Sequence, residues 1–259
     1  MWESFDEKGE LWFEAQISLY DFSSVRTSDQ DISDFIQKLL KGAVRHNSEF
    51  LNNWNGYRIN TFLEFSRSWG LGSSSSLIYT LSEWADVNPF HLYFELSSGS
   101  AYDVACAFAD GPIMYEKTDE AIHYSEIDLN FPFEKSLYFV YLGRKQNSDA
   151  AINYYRKSVK DSKSIIPEIS KISEEIIECQ SIDAFSKLLD AHENIIASAT
   201  KLPRVQKEMF GDFKGTIKSL GAWGGDFVLA VADQKNGYVP EYFKEKGLDT
   251  IFSYSDLVL

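Results

Sequence analysis

Three short stretches of small residues carry the groups that could do chemistry. GLGSSSS, residues 70–76, sets Gly70 and Gly72 around Leu71 and follows them with Ser73, Ser74, Ser75 and Ser76, directly before an apolar helical pattern. Serine hydroxyls compete for backbone hydrogen bonds and suit a helix interior poorly. The start of a helix is different, because its first N–H groups lack partners and the helix dipole is positive there. Glycines that let the backbone approach a ligand, hydroxyls that reach phosphate oxygens or Mg2+, and a helix N-terminus together make an anion site. Alone, the stretch fits a capped loop without a ligand equally well. It is not a Walker A loop, which needs a lysine before the last Ser or Thr, and it lacks the third glycine of a dinucleotide fingerprint.

The second stretch, SGSAYD at 98–103, ends on Asp103. A carboxylate there could orient or deprotonate an attacking hydroxyl in phosphoryl transfer, although capping a helix is the commoner task for Asp. The third, KSLGAWGGDF at 218–227, holds Gly221, Gly224 and Gly225 between two apolar runs and by itself reads as a hairpin turn. The three occur in this order on one chain, each at the end of a regular element, and that order is more informative than any one of them.

The elements that must position these turns follow from periodicity. LWFEAQISLYDFSSV reads as a strand, and SDQDISDFIQKLLKGAVRHN as a helix with Ile32, Phe35, Ile36, Leu39, Leu40 and Val44 on one face. GYRINTFLEFSRS alternates Tyr57, Ile59, Thr61, Leu63 and Phe65 and predicts a half-buried strand leading into Gly70. The helix after the serines is expected to turn Leu77, Leu81, Trp84 and Ala85 inward. Asn88-Pro89 marks another helix start, a cap followed by proline at the first position. Past residue 130 come a buried strand in SLYFVYLG, mostly helix over 149–200 with a polar link around KDSKSIIPE, and then strand, glycine turn and strand. A short helix around Tyr242 and a last strand near TIFSYS end the chain.

With 259 residues, among them 19 Phe, 14 Tyr and 6 Trp, the chain can bury one large core or two modest ones. A net charge of −14 argues against nucleic acid, whose phosphates reward clustered Lys and Arg. It leaves room for a small phosphate ligand held by a local positive potential. Cys106 and Cys179 have neither metal nor disulfide-framework spacing. Neither a basic-then-apolar leader nor a bilayer-length apolar run is visible, so the expectation is a soluble cytoplasmic protein, monomer or homodimer, that acts on a small molecule. His192 falls on the Phe185, Leu188, Leu189, Ile196 face and reads as a packed histidine. His46, His91 and His123 show no metal spacing. Cys106 reads as core packing, and no Gly-x-Ser-x-Gly elbow is present.

The ordered set GLGSSSS, SGSAYD, KSLGAWGGDF resembles the GHMP kinases, the galacto-, homoserine, mevalonate and phosphomevalonate kinases, from about residue 57 to the end. The resemblance implies an α+β, two-domain fold, with an N-terminal ATP-binding α/β domain over 1–130 packed on a ferredoxin-like domain over 131–259. It implies ATP and Mg2+ as cofactors, and transfer of the γ-phosphoryl group to a hydroxyl or phosphate of a mevalonate-type acid. Carried over position by position, Gly70, Leu71, Gly72 and Ser73 to Ser76 meet the ATP phosphates, and Ser76 is a magnesium ligand. Asp103 acts on the acceptor hydroxyl, while Gly221, Gly224 and Gly225 close the site. Lys145 and Ser148, in GRKQNSDAA, lie where related kinases have a polar loop near the substrate.

The chain departs from the family pattern in several places. The family's first motif, which supplies substrate contacts and often a basic partner for the aspartate, has no counterpart in the opening MWESFDEKGELWF. The N-terminal domain is therefore expected to be incomplete at its start, with lost pairing in its sheet. Leu92 stands at the spacing of the usual magnesium-binding glutamate, and nearby Glu95 is the substitute candidate. Ala101 and Trp223 replace glycines. Two alternatives accompany the kinase reading. One is a non-catalytic or truncated nucleotide-binding protein of the same fold; the other is an enzyme like mevalonate-diphosphate decarboxylase.

Overall fold

The structure, a computed structural model, describes residues 1–53, 55–144, 148–159, 162–221, 225–233 and 237–258, with backbone alone at 148, 149, 162 and 163. The chain divides into two compact units, Met1–Glu126 and Ile127–Leu259.

The first unit runs β1 (Trp2–Phe5), β2 (Leu11–Ile17), β3 (Ser24–Thr27), α1 (Gln30–His46), β4 (Ile59–Phe62), α2 (Ser73–Ala85), α3 (Pro89–Leu96), α4 (Tyr102–Phe108), β5 (Ile113–Lys117) and β6 (Ile122–Glu126). Its main sheet has the order β3-β2-β1-β4. β1 lies antiparallel to β2 and parallel to β4. β1 has a neighbour on each side, and among the described residues β3 and β4 are the edges of the sheet. One face buries Trp2, Phe13 and Ala15 in a core with Ile36, Leu39 and Leu40 of α1, Ile78 and Leu81 of α2, Leu92 of α3 and Val104 of α4.

Local chemistry sets the ends of these elements. The carboxylate of Asp29 accepts the Ile32 N–H at 3.2 Å and caps α1, whose last turn carries Arg45 and His46 against the helix dipole. Asn88 accepts the Phe90 N–H at 2.9 Å, with Pro89 at the first position of α3. The single strand expected over LWFEAQISLYDFSSV is two, because the chain reverses at Asp21, whose carboxylate accepts both the N–H and the Oγ–H of Ser23. β4 is shorter than the alternation predicted: β1 offers four residues to pair with, and pairing ends once the Leu63 N–H reaches the Phe5 carbonyl at 3.0 Å.

The second unit contains β7 (Leu137–Tyr141), α5 (Ser148–Ser158), α6 (Ser162–Ile177), α7 (Ile182–Thr200), α8 (Val205–Met209), β8 (Thr216–Ser219), β9 (Phe227–Val231), α9 (Tyr238–Glu245), β10 (Ile251–Ser253) and α10 (Tyr254–Leu257). The sheet is antiparallel in the order β10-β7-β9-β8, with helices in both crossovers, the β-α-β-β-α-β arrangement of ferredoxin-like domains. β9 is buried on both faces. Val228 and Ala230 pack with Phe210, Phe213, Ile217 and Phe243, while Leu229 and Val231 pack with Phe131, Phe185 and Leu189. That double burial explains its unbroken apolar sequence FVLAV. Among the described residues no helix is long and apolar enough to cross a membrane.

Candidate active site

The serines do not precede a helix; they are its first turn. α2 begins at Ser73, directly after Gly72, which holds a left-handed backbone (φ 87°, ψ 30°). Gly70 is left-handed as well, at φ 68°. At Gly72 the lack of a side chain is a packing requirement, since a Cβ there would stand 2.8 Å from Ser75 Oγ. That hydroxyl is buried and donates to the Gly72 carbonyl at 2.9 Å. Ser75 is thus a brace that folds the loop onto the helix, and its proton is committed. Ser74, Leu71 and Gly70 are exposed, and Ser73 and Ser76 are half-buried. No side chain caps the helix and no acidic residue lies in its first turn. A thirteen-residue helix therefore presents its first amides and its positive end to an open loop of small residues.

Asp103 lies in the first turn of α4, which packs against α2. The helix cap is Ala101 rather than Asp103. Ala101 is fully buried and left-handed at φ 64°, the conformation for which a glycine is usual. The preceding turn is held by its neighbours. The Tyr115 hydroxyl donates to the Ser100 carbonyl. The Gly99 N–H donates to Ser97 Oγ at 3.3 Å, and that hydroxyl donates to the Tyr93 oxygen at 3.3 Å.

Burial pushes the Asp103 carboxyl above the ordinary aspartate value, while the Val104 amide and its own amide oppose the rise. Among the described residues no cation contributes to that balance. Burial, with the Tyr93, Asp103 and Cys106 charges behind it, raises the Tyr115 phenol to about 12. Partial desolvation against the helix and the Asp103 charge likewise push the Cys106 thiol up. Cys106 is exposed, which corrects its reading as core packing: it projects one turn beyond Asp103, away from Val104 and Ala105, which face inward.

Glu95 is not an open metal ligand. It lies on α3 with both oxygens engaged by α1, pairing with Arg45 and meeting His46 Nε2 at 2.9 Å. Gly42 makes the room, since a Cβ there would come within 3.2 Å of Glu95 Oε2. Among the described residues no three His, Cys, Asp or Glu side chains are grouped to hold a metal, which leaves the Ser76 hydroxyl as the expected ligand still unassigned.

In the second unit Gly221 is left-handed at φ 65° and Gly225 is buried. They flank a hairpin whose base is closed by the Leu220 N–H on the Phe227 carbonyl at 3.1 Å, next to the Ser219–Val228 pair. Gly224, Trp223 and Lys145 lie outside the described residues, and Ser148 opens α5. Sequence reasoning missed Tyr93 and Tyr115. The only available signal was the alternation over 113–126, which is weak because β6 is largely exposed.

No protein-family model matches the chain, and no curated protein matches its sequence. Solved structures do match. The mevalonate kinase of Methanococcus jannaschii aligns over 93% of this chain and 86% of its own, with a TM-score of 0.60 at 18% identity. The mevalonate kinase of L. major, solved in complex with R-mevalonate, aligns over 97% of this chain and 81% of its own, with a TM-score of 0.57 at 12% identity. With the serine helix, the aspartate turn and the glycine hairpin in family order, the chain has the two-domain α+β fold of the GHMP kinases.

Proposed function

We propose that this chain is an ATP- and Mg2+-dependent phosphotransferase of the GHMP type, which moves the γ-phosphoryl group to a hydroxyl or phosphate of a mevalonate-type acid. The observation that carries the reading is one juxtaposition in the first unit. An uncapped helix start lined with small residues, α2, packs against the helix that bears a half-buried carboxylate, α4. The likeness to mevalonate kinases supports it at the level of fold.

The loop suits a nucleotide's phosphates, because it is built of small residues and the first amides of α2 have no side-chain cap. Gly70, Leu71, Gly72, Ser73 and Ser74 would hold the phosphates. The dipole and amides would stabilise negative charge where it develops, without reorganising at the moment of transfer. Asp103 would take the proton of the acceptor hydroxyl as the new P–O bond forms in line with the departing ADP oxygen. Its raised proton affinity suits a base, since matching donor and acceptor makes proton transfer efficient. Mg2+ supplies charge neutralisation when bound with ATP. The described residues offer it the Ser76 hydroxyl and no carboxylate cluster, so no step is assigned to the metal. Gly221 and Gly225 belong to the same reading as the glycine turn of the second unit.

A non-catalytic nucleotide-binding role is the second reading. ADP release with Mg2+ and ATP, measured against mevalonate, phosphomevalonate and a set of sugar and amino-acid alcohols, separates the two. Asp103→Asn is expected to keep ATP affinity and lower turnover on the order of 100-fold or more. Unchanged turnover removes Asp103 from the chemistry, and ATP binding without turnover on any acceptor favours the second reading. Release of carbon dioxide would mark a decarboxylase instead.

A further inference from the structure

β8 is the outer strand of its sheet, with β9 on one side only. The peptide groups on its open edge recur every second residue, at 215, 217 and 219, and side chains from the helices take the place of a neighbouring strand. Gln206 spans the first two, donating from Nε2 to the Gly215 carbonyl at 2.8 Å and accepting the Ile217 N–H on Oε1 at 3.1 Å. At the third, the Lys218 ammonium donates to the Ser219 carbonyl at 3.2 Å and to Glu193 Oε1 at 3.5 Å. Glu193 comes from α7 and is wholly inaccessible to solvent. Its Oε2 and the Ser219 hydroxyl are buried without a hydrogen-bond partner among the described residues.

An ion pair buried this deeply is a poor way to gain stability. Desolvation of both charges offsets most of their attraction, and an apolar pair of similar volume often serves as well or better. What a buried pair can fix is position, and Ser219 is the last paired residue before Leu220, Gly221 and the glycine turn.

We infer that Glu193 is a positioning residue: through Lys218 and the Ser219 carbonyl it fixes the end of β8, from Ser219 to Gly221, where the glycine turn begins. It touches no ligand itself. The consequence for function rests on the reading of that turn as part of the nucleotide site.

The test compares wild type, Glu193→Gln, Lys218→Met and the double variant Glu193→Leu/Lys218→Met. Three measurements are made: melting temperature, hydrogen exchange of the Leu220 amide, and affinity for Mg-ADP by calorimetry. Each single variant is expected to melt lower, because it strands a buried partner. The double variant is expected to recover the melting temperature while Leu220 exchanges faster and Mg-ADP binds on the order of tenfold more weakly, the signature of a displaced rather than an unfolded strand end. A double variant with wild-type melting, wild-type Leu220 protection and wild-type Mg-ADP affinity overturns the inference. If the wild type itself does not bind Mg-ADP, the nucleotide reading falls, and Leu220 exchange alone decides the positioning role: faster exchange supports it and unchanged exchange overturns it. Should the double variant not fold, Glu193→Gln below its melting temperature gives the same comparison.

Discussion

Gly72 and Gly221 share a left-handed backbone but not a reason for it. At Gly221 nothing among the described residues lies within 4 Å of where a Cβ would stand, so there alanine meets backbone strain. At Gly72 the added carbon strikes Ser75 Oγ, and the brace that folds the loop must move. Gly221→Ala is therefore expected to cost about 1–2 kcal/mol of stability, the strain of a left-handed residue. Gly72→Ala is expected to cost about 1 kcal/mol more, the Ser75 hydrogen bond that the clash displaces, and to weaken nucleotide binding by crowding the loop. Urea unfolding and Mg-ADP calorimetry on both variants check this. Equal costs, or a Gly72→Ala protein that binds normally, would show that Gly72 and Ser75 are not packed as described. Ala101 carries the same strain at the Asp103 turn and meets it by burying its methyl group completely.

The elements divide the serine run into roles that its sequence did not separate. Ser75 points inward and is spent on Gly72, whereas Ser74 is exposed at the mouth of the loop. Ser75→Ala is expected to lower stability by about 1 kcal/mol, the net worth of one hydrogen bond, with little change in nucleotide affinity. Ser74→Ala is expected to do the reverse, and a Ser74→Ala protein that binds nucleotide normally would take that hydroxyl out of the site.

Helix starts were legible because capping chemistry is local: Asp29 and Asn88-Pro89 cap where their types and neighbours say they should. Strand lengths were not legible, because β4 ends where β1 runs out of partner, a fact held fifty residues away. Trp84, expected inward by its spacing, is 40% exposed and packs edge-on against Phe50 at 4.8 Å. Glu95 looked available as a ligand only because Arg45 and His46, its partners, lie on another helix. The ordered motifs identified the fold, but the environment of Asp103 depends on Tyr115 in a hairpin whose exposed strands give little periodic signal.

At the scale of the whole molecule, the response to acid combines terms of opposite sign. The chain carries −14 at neutral pH, and protonation of carboxylates first relieves that self-repulsion. Asp103 and Glu193, both raised by burial, act in the same direction. Each takes up its proton more readily folded than unfolded, so its destabilising contribution at neutral pH fades as pH falls through the raised value. His192 opposes them. Burial, with Lys218 nearby, lowers it from 6.5 to about 4, and its Nδ1 is buried without a hydrogen-bond partner. Below 6.5 the unfolded chain binds a proton at this residue that the folded chain refuses. The stability tied to neutral His192 is therefore complete above 6.5 and drains away as pH falls to about 4, where the folded state protonates too. His192→Gln removes this one term and leaves the carboxylates as they are. The variant is expected to lose less melting temperature than wild type between about pH 7 and pH 5, as read by calorimetry. Parallel pH slopes would mean that His192 titrates alike in both states, and that the polar cluster around Lys218 and Glu193 is wetter than its packing implies.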